Sequence, residues 1–250
     1  MKPYLDLVKH VLDNGVLKKN RTGTDTLMSF GYHYKVDLSK GFPLLTTKKV
    51  FFNSVIHELL WYLSGETHIR NLRKHTKIWD AWTSESKNWE IGKMYGFQWV
   101  KWEKYIENHK TGVITKQHIN QIDEALKLIK NNPDSRRIIV SAWNPAVLDQ
   151  IALPSWHAFF IFSVVNNKLN CHLTQRSGDI ALGIPFNLAC YATLTQMMAQ
   201  AANLELGEFS HYINDAHIYV NHIDGMKEQL KREPYKLSQL LIRDKPFWEL

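Results

Sequence analysis

Three stretches in the second half of the chain decide the fold: residues 153–160 read LPSWHAFF, residues 175–179 read QRSGD and residues 183–187 read GIPFN. The segments 157–165 and 168–176 predict two strands, and the Asn166-Asn167 pair between them suits a tight hairpin, because asparagine tolerates positive φ. The apolar segment 187–203 predicts a helix. A strand hairpin followed by an apolar helix therefore forms the centre of the predicted fold.

The rest of the chain adds helices and strands without a regular alternation. Hydrophobic periodicity predicts further helices over 3–14, 53–64, 118–131 and 215–231, and further strands over 26–37 and 136–143. Because the two kinds of element do not alternate as in βαβ units, the predicted fold class is α+β. The 250 residues are 44% hydrophobic and contain no Pro/Gly/Ser-rich linker, so we expect one domain over residues 1–250.

Composition narrows the location and the partners. The two cysteines, Cys171 and Cys190, favour a reducing, cytoplasmic environment over a disulfide framework. No apolar run reaches the ~20 residues of a membrane span, and no Cys/His spacing is typical of a metal site, so we expect neither membrane nor metal. The net charge of +7 fits either a solvated basic surface or a pocket for a polyanion. Without a basic helix or an aromatic-basic ladder, we do not expect a nucleic-acid partner.

Four arginines are candidate anion ligands: Arg21, Arg136, Arg137 and Arg176. A guanidinium fork binds a phosphate dianion bidentately, and several together can neutralise it. Taken alone, each is also typical of a solvated surface.

Two further polar residues lie in apolar segments. Glu58 lies within the apolar run 53–64, where burial favours the neutral carboxyl and suits a proton relay. Asn187 lies at the start of an apolar helix, where a helix cap is the ordinary interpretation.

In this order, the three stretches closely resemble the active-site half of the thymidylate synthase family, and the resemblance extends from residue 4 to about residue 245. It implies the thymidylate synthase fold, a large, twisted, mostly mixed β-sheet at the dimer interface covered by helices. It also implies methyl or hydroxymethyl transfer from 5,10-methylenetetrahydrofolate to C5 of dUMP or a similar pyrimidine nucleoside monophosphate. The implied partner is a second copy of the chain, with Arg136 and Arg137 reaching the other subunit's site.

By this resemblance, one set of residues binds the nucleotide. The set is Arg21, Arg136, Arg137 and Arg176 at the phosphate, Ser177, Gly178 and Asp179 along the nucleotide, Asn187 at the base, and His217 and Tyr219 at the sugar 3′ hydroxyl. An asparagine amide both donates and accepts, so Asn187 suits positions 3 and 4 of uracil and favours dUMP over dCMP.

A second set of residues is implied for the folate and for the chemistry. The folate set is Lys48, Phe51, Trp79, Trp82, Asp179, Gly183 and Phe186. The chemistry is assigned to Glu58 as a proton relay, Tyr95 near the base C5, His157 beside the nucleophile, and Arg176, Asp179 and Asn187 around the substrate. Retention of both tryptophans favours hydride-transfer chemistry over hydroxymethylation.

The sequence departs from the family at the nucleophile itself. Trp156 stands where the family carries the cysteine whose thiolate adds to C6 of the base. An indole cannot make that addition, and its size predicts that it intrudes on the space of the pyrimidine C6. Phe51 replaces a frequent family histidine, and the sequence lacks the family's closing tail, which predicts weakened folate binding.

Three functions remain open within the family. The chain is an altered synthase, a divergent pyrimidine C5 one-carbon transferase that works without a thiol, or a non-catalytic nucleotide-binding or regulatory protein. Cys190, three residues after Asn187 on the same predicted helix, is the candidate replacement nucleophile, and a small buried hydrophobe is the alternative interpretation of it.

Overall fold

In a computed structural model, residues 1–20 and 23–250 of the chain are described. The helices are α1 (Lys2–Asn14), α2 (Phe52–Ser64), α3 (Tyr95–Lys101), α4 (Gln121–Asn131), α5 (Gly183–Ala201) and α6 (Ile223–Leu230). The strands are β1 (Val16–Lys18), β2 (Thr26–Asp37), β3 (Trp102–Asn108), β4 (Val113–Ile119), β5 (Ile139–Ser141), β6 (His157–Val165), β7 (Lys168–Asp179) and β8 (Glu205–Tyr219). In the described part of the chain, no helix is both long and apolar enough to cross a membrane.

One mixed sheet organises the molecule, with strand order β1-β2-β8-β7-β6-β5 among the described residues. Its neighbours pair antiparallel except β7 and β8, which run parallel. Strands β3 and β4 form a separate hairpin. The sheet and the helices around it confirm the predicted α+β class and agree with the thymidylate synthase fold.

Helix α5 forms the centre of the core. Its buried residues occur on all sides of the helix, as expected when other elements surround it. It packs against β7 and β8 on one side and α2 on the other, and Leu188, Tyr191 and Leu194 are fully buried. Complete burial of a side chain of this size contributes about 1.5–3 kcal/mol, so Leu188→Ala is expected to destabilise the fold by about 2–5 kcal/mol.

The hairpin at the centre of the sequence forms as predicted. Val165 pairs with Lys168, and between them Asn166 and Asn167 have φ of 51° and 60°. Positive φ at both central residues is the type I′ pattern, whose twist matches that of the flanking strands.

Three sequence predictions of secondary structure need correction. The helix predicted over 215–231 is wrong at its start, because β8 continues to Tyr219, paired with β2 and β7, and α6 begins at Ile223. The helix predicted over 118–131 begins only at Gln121, where the Asn120 side chain caps it by accepting from the backbone of Asp123. The strand predicted over 136–143 shrinks to β5, which lies at the edge of the sheet.

Candidate active site

The site forms where β7 and β8 end side by side at the start of α5. Their parallel register pairs Ser177 with Asp215 and Asp179 with His217, which brings together residues far apart in sequence. A cleft of about 270 Å³ opens here, lined by Thr24, Asp179, Leu182, Tyr219, Asn221 and His222. Two residues predicted to bind a nucleotide, Asp179 and Tyr219, thus face one cavity.

Asp179 also holds the turn into α5. Its Oδ1 accepts from the backbone N–H of Ala181 at 2.9 Å and of Leu182 at 3.3 Å. Lys48 donates to the Ala181 carbonyl at 2.5 Å. Burial lowers the pKa of Lys48, and the nearby carboxylate of Asp179 partly opposes this shift. Lys48 therefore adds positive charge beside the cleft while fixing its wall.

His217 belongs to a row of three side chains, Lys18, Asp215 and His217, whose contacts the sequence did not indicate. Its Nδ1 lies 2.8 Å from Asp215 Oδ1, and Lys18 contacts the other oxygen of Asp215 at 2.7 Å. Burial raises the pKa of Asp215, but the hydrogen bonds from His217 and Lys18 outweigh it, so the pKa lies below its usual value. Asp215 orients the His217 imidazole. The ring centroids of His217 and Tyr219 are 5.3 Å apart.

Trp156 is held by its main chain. Its N–H donates to the Tyr95 hydroxyl at 2.7 Å, and its carbonyl accepts from the N–H of Arg176 at 2.9 Å. The indole is half-buried and meets Trp82 edge to face at 5.9 Å. The side chain therefore lies against the wall that the family resemblance assigns to the folate, and its overlap with a pyrimidine C6 stays a prediction.

Arg176 fixes the loop before Trp156. Its Nε donates to the Ser155 carbonyl at 2.9 Å, its Nη2 donates to the Pro154 carbonyl at 2.7 Å, and the guanidinium lies 5.8 Å from the Trp143 ring. The same charge that matches a phosphate ligand thus shapes the segment that carries position 156.

Arg136 and Arg137 do not lie beside Arg176 in the described part of this chain. Arg136 and Arg137 are exposed just before β5, which is two strands away from β7 in the sheet. Arg21 lies outside the described residues. That Arg136 and Arg137 reach the phosphate site of a second subunit, as the family resemblance implies, stays a prediction.

Glu58 is buried on α2, as its apolar context predicts. Trp79 Nε1 donates to its Oε1 at 2.7 Å. Burial raises the pKa of Glu58 to about 7, although hydrogen bonds from Trp79 and Tyr62 partly oppose it. A carboxyl with this pKa can both give and take a proton near neutral pH. Of the predicted tryptophan pair, Trp79 is committed to Glu58 and buried, whereas Trp82 is 38% exposed.

Tyr95 lies between Glu58 and the loop of Trp156 because α3 approaches α2 closely. A Cβ on Gly96 would lie 2.0 Å from the Tyr62 carbonyl oxygen, so only glycine allows this contact. The rings of Tyr95 and Tyr62 are consequently 5.1 Å apart. Burial raises the pKa of Tyr95 well above its usual value, so the hydroxyl stays neutral and can accept the N–H of Trp156.

His157 is buried beside Tyr95 and Tyr191, with ring centroids 5.1 and 5.3 Å away. Within residues 1–20 and 23–250, neither ring nitrogen makes a hydrogen bond of ordinary length. Burial lowers the pKa of His157 to about 3, opposed in part by the Asn187 amide. The imidazole is therefore neutral and fully desolvated beside Asn187, the residue that the family resemblance assigns to the pyrimidine.

Asn187 is not a helix cap, because α5 begins four residues earlier at Gly183 and its N-cap residue is Leu182. Its Oδ1 accepts from Gln175 Nε2 at 3.0 Å. Gln175 was not singled out in the sequence. It belongs to a buried hydrogen-bonded chain that continues through His211 to Tyr34.

The remaining predicted residues lie around the same region with different exposure. Gly178 is buried, and a Cβ there would lie 2.6 Å from Ile184 Cδ1, so its visible role is close packing of β7 against α5. Gly183 and Phe186 lie in the first turn of α5. Phe51, at the start of α2, is 60% exposed with the Lys49 ammonium 5.0 Å from its ring.

The two cysteines are poor nucleophiles in this structure. Both are buried. Burial raises the pKa of Cys171 to about 12, and burial together with the charge of Glu58 raises that of Cys190 well above its usual value. Because the thiolate is the reactive form, Cys190 is better explained as a small core residue.

A mixed-sheet α+β protein, with a polar cleft where its parallel strand pair ends, is the class that the fold and the site define. The family model of thymidylate synthase matches residues 2–248, nearly the whole chain, and the chain belongs to the thymidylate synthase family. The family comprises methyltransferases of nucleotide biosynthesis, which use methylenetetrahydrofolate.

Proposed function

We propose that the chain binds dUMP, or a closely similar pyrimidine nucleoside monophosphate, as a homodimer, without adding a thiolate to the base. The observation that carries this proposal is Trp156 at the nucleophile position, on a loop that Tyr95 and Arg176 still hold in place. The supports of the loop are intact, whereas the reactive atom is replaced by an indole, which cannot perform nucleophilic addition to the pyrimidine.

The nucleotide side of the proposal rests on the polar groups around the cleft. Asp179 and Tyr219 line the cleft, and Asp215 orients His217. In the proposal Asn187 binds the base edge and His217 binds the sugar hydroxyl. Arg176 supplies a guanidinium for the phosphate, joined by Arg21 and by Arg136 and Arg137 of a second subunit. Pairing of guanidinium forks with a dianion is the strongest interaction available to this set.

The residues expected to bind the folate are suited to it in part. Trp82 offers an exposed ring to a flat heterocycle, Asp179 offers a carboxylate to its ring N–H groups, and Lys49 lies exposed near Phe51 for an anionic tail. When bound, methylenetetrahydrofolate supplies the one-carbon unit. The contact of Trp156 with Trp82 occupies part of this wall, so we expect folate to bind more weakly than the nucleotide.

A second candidate function is one-carbon transfer to C5 of the bound pyrimidine without a thiol nucleophile. Glu58 favours it, because a buried carboxyl with a pKa of about 7 is costly to keep and suits proton transfer.

The first test is a calorimetric titration of the protein with dUMP. The second is denaturing mass spectrometry of the protein after incubation with 5-fluoro-dUMP and methylenetetrahydrofolate. We expect saturable binding of dUMP and no covalent adduct. An adduct that survives denaturation would show that a thiol takes part and would contradict the proposal. The absence of dUMP binding would reject the nucleotide site itself.

The second candidate is examined with dUMP tritiated at C5 in the presence of methylenetetrahydrofolate, because attachment of the one-carbon unit at C5 displaces the tritium. Release of tritium by the parent chain and its loss in Glu58→Gln would favour the thiol-independent enzyme. If both proteins bind dUMP and neither releases the tritium, the second candidate is rejected and nucleotide binding remains as the proposed function.

A further inference from the structure

Four buried side chains form one hydrogen-bonded line from the sheet to the candidate base site. Tyr34 OH lies 2.8 Å from His211 Nδ1, His211 Nε2 lies 2.9 Å from Gln175 Oε1, and Gln175 Nε2 donates to Asn187 Oδ1 at 3.0 Å. Each of the four side chains is at most 7% exposed. We name this line the Tyr34–Asn187 relay.

A backbone carbonyl sets the direction of every bond in the relay. Gln175 Nε2 also donates to the carbonyl of Ser177 at 2.9 Å, and a carbonyl oxygen can only accept. The amide nitrogen of Gln175 therefore faces Ser177 and Asn187, and its oxygen faces His211.

The orientation of Gln175 in turn fixes the tautomer of the His211 imidazole and the direction of the Tyr34 hydrogen bond. Because Gln175 Oε1 accepts, His211 carries its proton on Nε2, so Nδ1 accepts and the Tyr34 hydroxyl donates. Burial lowers the pKa of His211 well below its usual value, which keeps the ring neutral and the two nitrogens different.

We propose that Tyr34 and His211 are positioning residues that lock the amide of Asn187 and thereby select uracil over cytosine. This inference rests on the proposed nucleotide function. With Oδ1 toward Gln175, the amide group can donate from Nδ2 to O4 of uracil while Oδ1 accepts from N3–H. A flipped amide has the opposite pattern, which matches the N3 acceptor and the 4-amino donor of cytosine. The orientation of one amide therefore decides which base is complementary.

The relay is a second restraint on the Gln175 amide, beside the Ser177 carbonyl, and its loss leaves that carbonyl as the one group of the two that opposes rotation. If Tyr34 no longer donates to Nδ1, the proton of His211 can move to that nitrogen, and Nε2 then accepts from a flipped Gln175. A flipped Gln175 gives up its hydrogen bond to the Ser177 carbonyl and presents its oxygen to Asn187, which then flips in turn, so we expect a partial loss of selectivity. Discrimination then falls without loss of any group that touches the nucleotide.

The experiment compares the dissociation constants of dUMP and dCMP for the parent, Tyr34→Phe, His211→Leu and His211→Gln. We expect the ratio that favours dUMP to fall roughly three- to tenfold in Tyr34→Phe and His211→Leu, the effect of one lost hydrogen bond. His211→Gln keeps a donor toward Gln175 and is expected to retain much of the ratio.

Tyr4→Phe is the matched control. Tyr4 is an equally buried tyrosine whose hydroxyl donates to the Ile180 carbonyl at 2.9 Å, outside the relay. Its loss is expected to lower thermal stability as Tyr34→Phe does while the ratio stays unchanged. An unchanged ratio in folded Tyr34→Phe and His211→Leu would overturn the proposal, as would an equal fall in Tyr4→Phe.

A nitrogen NMR measurement of the His211 ring separates this proposal from the proposed function. We expect a neutral ring protonated on Nε2 in the ligand-free parent, with the proton redistributed in Tyr34→Phe. A ring protonated on Nδ1 in the parent would overturn the relay even if dUMP binds. Failure of the parent to bind dUMP would reject the proposed function, and the ring state would still decide the relay.

Discussion

The backbone N–H of Trp156 donates to the hydroxyl of Tyr95 at 2.7 Å. The residue at the predicted nucleophile position is therefore anchored through its main chain, independently of its side chain. A substitution at position 156 is expected to change the side-chain chemistry at that position while the loop keeps its path.

Trp156→Cys is expected to gain a covalent adduct with 5-fluoro-dUMP. The thiol would start from a loop held by Tyr95 and Arg176, and a thiolate is the group that adds to an activated pyrimidine. Denaturing mass spectrometry reports the adduct, and Trp156→Ser, which lacks a thiolate, is the matched control. If Trp156→Cys binds dUMP without forming an adduct, the cleft does not present the base to position 156.

Glu58→Gln is expected to change how stability depends on pH. The folded pKa of about 7 lies above the ordinary 4.5, so between these values the folded state holds a proton that the unfolded state has lost. Stability of the parent therefore falls as pH rises from 4.5 to 7, by about 3 kcal/mol at most, and then levels off. Glutamine removes this loss and keeps an oxygen for Trp79.

Denaturant unfolding of both proteins across this range measures the effect. The difference in unfolding free energy should grow from pH 4.5 to 7 in favour of Glu58→Gln. A constant difference would show that Glu58 titrates normally.

His157→Phe is expected to stabilise the ligand-free protein. The imidazole is buried with neither nitrogen in an ordinary hydrogen bond in the described part of the chain, and replacing such a group with an apolar ring of similar shape gains about 1–3 kcal/mol. The gain should increase as pH falls from 6.5 toward 3. There the unfolded histidine takes up a proton and the folded one, with a pKa of about 3, does not.

Tyr191→Phe gives the comparison for this stabilisation. Its buried hydroxyl also lacks an ordinary hydrogen bond to the described residues, but it does not titrate in this range. Thermal unfolding should show a gain without pH dependence. A loss of stability in His157→Phe at neutral pH would mean that the imidazole has a stabilising partner.

Arg137→Ala and Arg176→Ala are each expected to weaken dUMP binding about tenfold or more, the effect of a lost charge-assisted pair. If the site is shared, a hybrid dimer of the two variants has one site with both defects and one intact site. Calorimetric titration of the mixed protein should then recover high-affinity binding in part of its sites. Unmixed variants are the control, and no recovery would place Arg137 outside the partner's site.

The sequence alone determined the family and the departure from it. The stretches around Trp156, Arg176 and Asn187 are continuous in the chain, and their residues follow one another regardless of the surrounding structure. Strong local periodicity likewise predicted α1 and α2, and Asn166-Asn167 predicted the hairpin turn. Such signals survive because they depend on neighbours a few residues away.

The tertiary structure decided which distant groups meet. Tyr34 and His211 are 177 positions apart and become hydrogen-bonded only because β2 pairs with β8. The same pairing makes residues 215–219 a strand, although their apolar spacing predicted a helix. In the strand, the side chains of Asp215 and His217 lie within hydrogen-bonding distance of each other. The register between β2 and β8 depends on contacts between segments that no short turn connects, so a local pattern does not determine it, unlike the register of the β6–β7 hairpin.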